Sequence, residues 1–288
     1  MKIIFSKKSF EYYERGHPES PERTKKSYDL LKNSYTFIEA EPCSKDDLLS
    51  IHSKKHVEDV KSGNFNDPDT PALNNIYDYA ILSTGAAIHA ALLAIRGEKT
   101  FSLMRPPGHH ASDSPKGFCY FNNIAVAISK LLKEEKINKA AILDIDIHHG
   151  DGTQNLFLGN KSILFCSIHQ SPLYPGTGLN NEKNCINFHL PPGTSENIYL
   201  QTLEKALKKI KQFKPDILGV SAGFDTYIEE GKNWHERESL GNFRLNLKSY
   251  RKIGEKISKL KTPTFAILEG GYSKSLPSCI YQFLLGFR

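Results

Sequence analysis

Four short stretches of this sequence carry residue types able to do chemistry. In Ala141-Ile-Leu-Asp-Ile-Asp-Ile-His-His-Gly-Asp-Gly152, the polar residues Asp144, Asp146 and His148 alternate with Ile145 and Ile147. Period-two spacing places all three on one face of a strand or its extension. No Lys or Arg stands nearby to neutralise two carboxylates, so burying this face calls for a metal ion or other pairing. Arg105-Pro-Pro-Gly-His-His-Ala111 is a stiff loop that ends on two histidines, His109 and His110. Beside an acidic strand end, such a pair reads as acid–base machinery. A histidine used this way needs a partner on its second nitrogen, and Asp144 and Asp151 are the available candidates. Ser221-Ala-Gly-Phe-Asp225 offers a further carboxylate, Asp225. Leu268-Glu-Gly-Gly-Tyr272 puts a phenol after two glycines that permit a sharp turn, at the rim, where it can donate to an oxyanion. Asp146, His148 and Asp225 together make a one-nitrogen, two-carboxylate set with an open position. That suits a catalytic zinc, and an oxygen-rich set also accepts Fe(II).

The elements that must position these residues alternate strand and helix. Apolar, β-rich runs occur at Lys2–Phe5, Thr100–Leu103, Ala140–Ile147, Ser162–Ile168, Asp216–Ser221 and Thr264–Leu268. Helical signals lie between them. Ser20-Pro21 opens one helix, and Ser44-Lys-Asp-Asp47 is a capping box. Ile76–Arg96, Asn122–Lys136, Glu196–Phe213 and Leu245–Leu260 have helical periodicity. The alternation predicts βαβ units and one open, parallel α/β sheet. In such sheets ligands bind beyond the carboxyl ends of the strands, where the four reactive stretches fall.

Composition narrows the function classes. The 288 residues carry 38 Lys+Arg against 32 Asp+Glu, a net charge of +6, spread without a concentrated basic stripe. Direct nucleic-acid binding is therefore not expected. The longest apolar region, around Gly85–Ile95, is interrupted by His89 and is too short for a membrane span. Five cysteines, none in a C-x-x-C pair, and a start too poor in apolar residues for a signal-peptide core point to free thiols and a cytoplasmic protein.

Six blocks, in order, resemble the zinc-dependent histone deacetylase superfamily with its acetoin-utilisation and acetylpolyamine amidohydrolase relatives. They are Arg105–Ala111, Gly117-Phe-Cys-Tyr-Phe-Asn-Asn123, Asp144–Gln154, Pro175-Gly-Thr-Gly178, Gly223-Phe-Asp225 and Glu269–Tyr272. The block His17-Pro-Glu-Ser-Pro-Glu-Arg23 resembles the class II branch. The resemblance implies one catalytic domain over residues 1–288, an arginase/deacetylase-type α/β fold with a central parallel sheet of about eight strands flanked by helices. It implies zinc on Asp146, His148 and Asp225. It pairs His109 with Asp144 and His110 with Asp151, and gives Tyr272 the oxyanion role. It implies a structural potassium ion held by Asp144, Ser167 and the backbone carbonyls of Asp146, His148 and Ile168. Gly117, Phe118 and Tyr174 match the substrate tunnel, and Asp69 matches a carboxylate at its rim.

The reading that follows is removal of acetyl or other acyl groups from lysine side chains of proteins. The alternative is deacetylation of small amines such as acetylpolyamines. Against that alternative, Lys248 matches a gatekeeper slot where a cation would repel a cationic ligand, although Glu14, Glu19 or Glu22 in the first loop could supply a carboxylate. An inactive protein that only binds acylated ligands is disfavoured because no ligand, histidine or tyrosine is missing. A two-metal ureohydrolase is disfavoured because the Asp225 segment lacks a second closely spaced Asp. Short loops suggest an open site and a monomer.

Overall fold

The computed structural model describes residues 1–230 and 241–288. Eight strands form one sheet: β1 (Lys2–Phe5), β2 (Thr36–Glu39), β3 (Thr100–Ser102), β4 (Ala140–Asp144), β5 (Ile163–Gln170), β6 (Cys185–Leu190), β7 (Ile217–Ala222) and β8 (Thr264–Leu268). They run in the order β2-β1-β3-β8-β7-β4-β5-β6, and every pairing is parallel. Strands β3, β4, β5, β7 and β8 are buried along their whole length. Parallel strands of this kind need helices on both faces, and the helices fall into two groups by contact. One group is α2 (Lys45–Leu48), α3 (Lys54–Ser62), α4 (Ile76–Ala94), α5 (Asn123–Lys133) and α6 (Asp151–Phe157). The other is α1 (Pro21–Leu31), α7 (Glu196–Phe213), α8 (Leu247–Ser258) and α9 (Leu276–Phe287).

Two features differ from the sequence reading. Helix α4 is long and apolar enough by length and composition to cross a membrane, contrary to the expectation from Gly85–Ile95. Its apolar surface is instead covered by β1, β3, β8 and α5, as the central helix of a core. The strand expected over Ala140–Ile147 stops at Asp144. Beyond it the chain leaves the sheet through two successive side-chain turns: Asp144 Oδ1 accepts the Asp146 amide at 3.1 Å, and Asp146 Oδ1 accepts the His148 amide at 2.9 Å. Alternation of polar residues survives there, but bonds from side chain to backbone have replaced the sheet ladder.

Neighbouring strands β3, β8, β7 and β4 each end in one of the four reactive stretches. The sheet order thus gathers residues from positions 105 to 272 over a single edge.

Candidate metal centre and histidine pair

Ligand atoms of Asp146, His148 and Asp225 lie within 4.8 Å of one another, and all three residues are buried. Asp146 Oδ2 accepts the Gly270 amide at 2.8 Å, and Asp225 Oδ1 accepts the Ile147 amide at 2.9 Å. His148 Nδ1 sits 3.1 Å from Asp146 Oδ1 and 3.2 Å from Asp225 Oδ2. Asp225 Oδ2 nevertheless has no hydrogen-bond donor, although it is fully enclosed. Burial opposes a charge on His148, yet the two carboxylates outweigh it and raise the imidazole to about 9. The cradle therefore demands positive charge, and its donor set fits a divalent metal ion. Gly270 makes the closeness possible. A Cβ there would collide with Asp225 Oδ2 and Asp146 Oδ2.

His109 and His110 stand beside this cradle with ring centroids 4.1 Å apart. His109 Nδ1 bonds Asp144 Oδ2 at 2.9 Å, and His110 Nδ1 bonds Asp151 Oδ1 at 2.8 Å. The two partners left open by the residue types are thus separated, one to each ring. The Asp144 carboxylate turns to His109 and is not part of the cluster of Asp146, His148 and Asp225. Burial disfavours charge on His109, but Asp144 and Asp146 overcome it and hold the imidazole well above its usual range. Burial, helped by the charge on His109, pulls His110 down to about 3. One ring is a fixed cation, and its neighbour is a neutral base. Lys116 adds a cation on the far side of Asp151, 2.5 Å from Oδ2.

A cavity of about 130 Å³ opens over these groups, lined by Asp69, Pro107, His109, His110, Gly117, Phe118, His148, Tyr174, Gly270 and Tyr272. The expected tunnel residues meet here: the Tyr174 ring stands edge-on to both His110 and His148, and Phe118 stands edge-on to Tyr272. Gly117 leaves the room that His110 and the Tyr174 hydroxyl occupy. Asp69 is exposed at the mouth, its backbone carbonyl 3.1 Å from His17 Nε2. Burial raises the Tyr272 phenol well above its ordinary range and keeps it a proton donor, although Arg23 opposes the shift.

The remaining expected residues do not line this cavity. Ser167 is the direct register partner of Asp144 across β4 and β5, and its hydroxyl meets His169 Nδ1 at 2.9 Å. Ile168 follows it, buried on β5. Lys248 lies exposed in the first turn of α8 and is not among the residues that line the cavity. Glu19 is buried and bound to Arg105 at 2.6 Å, and also pairs with Arg23, so it is not free for a substrate. Glu22 pairs with Lys26 in solvent. Glu14 does line a cleft of about 430 Å³, together with Asp67.

Several supporting residues were not singled out from the sequence. Glu269 accepts the Gly108 amide at 2.7 Å and the His109 amide at 3.2 Å, fixing the histidine loop to the end of β8. Thr70 accepts the amide of Phe118, a non-glycine residue with φ of 70°. Arg23 donates to the carbonyls of Gly271, at 2.7 Å, and Glu269. The His17–Arg23 block contained the signal for Arg23, but nothing local shows that it reaches a loop nearly 250 residues away.

A buried Asp–His–Asp cradle, a neutral histidine beside it and a phenol lining the same cavity, at the carboxyl edge of a parallel sheet, fit a metal-dependent hydrolase of amides. A model of the histone deacetylase domain matches residues 17–286. A probable deacetylase of Methanothermobacter thermautotrophicus is 35% identical over 291 residues, covering 94% of this chain and 86% of that protein. Acetylpolyamine amidohydrolase 2 of Pseudomonas aeruginosa is 38% identical over 193 residues, covering 63% and 53%. The crystal structure of an acetylpolyamine aminohydrolase from Burkholderia pseudomallei superposes with a TM-score of 0.88 at 24% identity, covering 100% of this chain and 98% of that one. The chain belongs to the histone deacetylase family, and its chemistry is deacetylation.

Proposed function

We propose that this chain, as one catalytic domain, removes acetyl groups from small acylated amines of the polyamine type, with zinc as its metal. The observation that carries the substrate is the charge at the mouth. Asp69 stands at the cavity, Glu14 and Asp67 outnumber Arg15 along the cleft formed by the first loop and residues 65–72, and Lys248 lines neither.

 The Tyr174 pKa is raised, by burial first and then by nearby acids that include Asp67 and Asp69, so the phenol stays protonated. An anionic mouth favours an alkylammonium tail. Relatives named acetylpolyamine amidohydrolase support the same choice over protein acetyl-lysine.

In this reading Asp146, His148 and Asp225 would hold the metal, whose chemistry there would be Lewis-acid polarisation of the acyl group and acidification of a water. The chain does the rest. His110, oriented by Asp151, takes a proton from the attacking water and returns it to the leaving amine. Tyr272 donates a hydrogen bond from its phenol to the developing oxyanion. His109, held charged by Asp144, steadies the negative charge and keeps His110 neutral. Phe118 and Tyr174 enclose the alkyl chain and exclude water. Potassium beside Asp144 and Ser167 is proposed from the family resemblance, and a cytoplasmic site of action from the five free, buried cysteines.

The test is a competition among an acetyl-lysine peptide, N-acetylputrescine and N8-acetylspermidine on zinc-loaded enzyme, with products counted by mass spectrometry. The acetylpolyamines should have the higher kcat/KM. Dominant turnover of the peptide would overturn the substrate assignment and leave the chemistry intact.

A further inference from the structure

Tyr272 follows two glycines, and Gly271 has φ of +113°, a region open to few residues but glycine. A Gly-Gly segment has little conformational preference, so the direction of the tyrosine must be imposed from outside. Two buried groups contact this loop from elsewhere in the chain. Arg23 takes its carbonyl side, donating to Gly271 and Glu269, with its guanidinium 4.6 Å from the Tyr272 ring centroid. Glu230 takes its amide side. Both carboxylate oxygens lie 3.0 Å from the Tyr272 amide, and Oε1 accepts the Ser273 amide at 2.9 Å. Glu230 is 1% exposed and follows Asp225 by five residues. The segment that supplies a candidate metal ligand therefore also supplies the anchor of the tyrosine loop.

We propose that Glu230 is a positioning residue, whose carboxylate bridges the Tyr272 and Ser273 amides and thereby aims the Tyr272 phenol at the reacting acyl group. This rests on Tyr272 being the oxyanion donor. Glu230 touches neither substrate nor metal, and its whole effect passes through Tyr272. A misplacement of about 1 Å at such a donor can cost about 100-fold in rate.

The experiment compares Glu230→Gln, Glu230→Asp, Tyr272→Phe and the Glu230→Asp/Tyr272→Phe double variant as zinc-loaded proteins acting on N-acetylputrescine and the acetyl-lysine peptide. Glu230→Gln keeps the reach and an acceptor oxygen, and should retain at least about one-third of kcat. Glu230→Asp keeps the charge but withdraws the carboxylate, and should lose about tenfold or more in kcat with little change in KM. In the Tyr272→Phe background the same Asp change should cost less than about twofold. A loss of similar size in both backgrounds, or full activity in Glu230→Asp, overturns the proposal. A second readout is independent of activity: 3-fluorotyrosine at position 272 should give one sharp ¹⁹F line in the parent and in Glu230→Gln, and a broadened or split line in Glu230→Asp. An unchanged line in Glu230→Asp also overturns the proposal. If Tyr272→Phe keeps full activity, the oxyanion role of Tyr272 fails, and the ¹⁹F line alone then decides whether Glu230 holds the loop.

Discussion

His110 Nδ1 lies 2.8 Å from Asp151 Oδ1, while the other oxygen of the same carboxylate is bound by Lys116. The carboxylate is thus held from both sides, and the nitrogen left over on His110 belongs to the cavity. Asp151 is the first residue of α6, where a negative charge is favoured by the helix N-terminus.

Asp151→Asn should therefore cost about 10- to 100-fold in kcat through misorientation of His110, with metal content unchanged. Steady-state kinetics alongside metal analysis of the purified variant checks this. An Asp151→Asn enzyme with parental kcat would show that His110 needs no orienting partner.

Gly270 gives a prediction about metal rather than rate. Because a Cβ at that position would meet carboxylate oxygens of both Asp225 and Asp146, Gly270→Ala should weaken metal binding by about 10-fold or more. Bound metal at about 100 times its Kd adds about 2.7 kcal/mol to the stability of the folded state. Adding zinc to metal-free parent should raise its Tm, and Gly270→Ala should show a smaller rise at the same zinc concentration. Equal rises would mean that the cradle tolerates the methyl group.

The third prediction concerns pH and a histidine that does not line the cavity. His52 Nδ1 faces the Ser112 carbonyl at 2.7 Å, and its Nε2 accepts the Asn122 amide at 2.9 Å. A second ring proton would point at that amide. Burial, followed by the neighbouring His56, lowers His52 to about 3 from an ordinary 6.5. Between those two values the unfolded chain binds the proton and the folded chain does not, so stability falls as pH drops below about 6.5. Imidazole NMR should show His52 neutral, protonated on Nδ1, from pH 7.5 down to pH 5, while Tm declines over the same range. Titration of His52 near pH 6.5 would contradict the assignment.

The chemistry was legible in the sequence because its residue types are concentrated. Asp146, His148 and Asp225 stand in short motifs whose carboxylates are hard to bury without a counter-charge, and the structure brings all three together. The central strands were legible as continuous apolar runs, since both of their faces are covered. The edges were not. Thr36–Glu39 and Cys185–Leu190 are partly exposed strands at the two ends of the sheet, with too little apolar signal to stand out from loop. Strand length failed at Ile145–Ile147, where side-chain turns mimic strand alternation. Long-range supports such as Glu230 to Tyr272 were hidden because the bonds run to backbone amides, and any sequence at the recipient end carries those.

Strand β8 lies between β3 and β7, yet it is the last of the eight to be synthesised. Before it enters, β2-β1-β3 and β7-β4-β5-β6 have no strand between them to join them. The candidate metal ligands all belong to the second of these groups, and the histidine loop belongs to the first. Insertion of β8 is the event that zips the halves together, and the same strand carries Glu269, which ties down the histidine loop, and Tyr272. A nascent chain can thus gather its metal cradle well before it gains the means to use it, so hydrolytic competence arrives only with the closing strand.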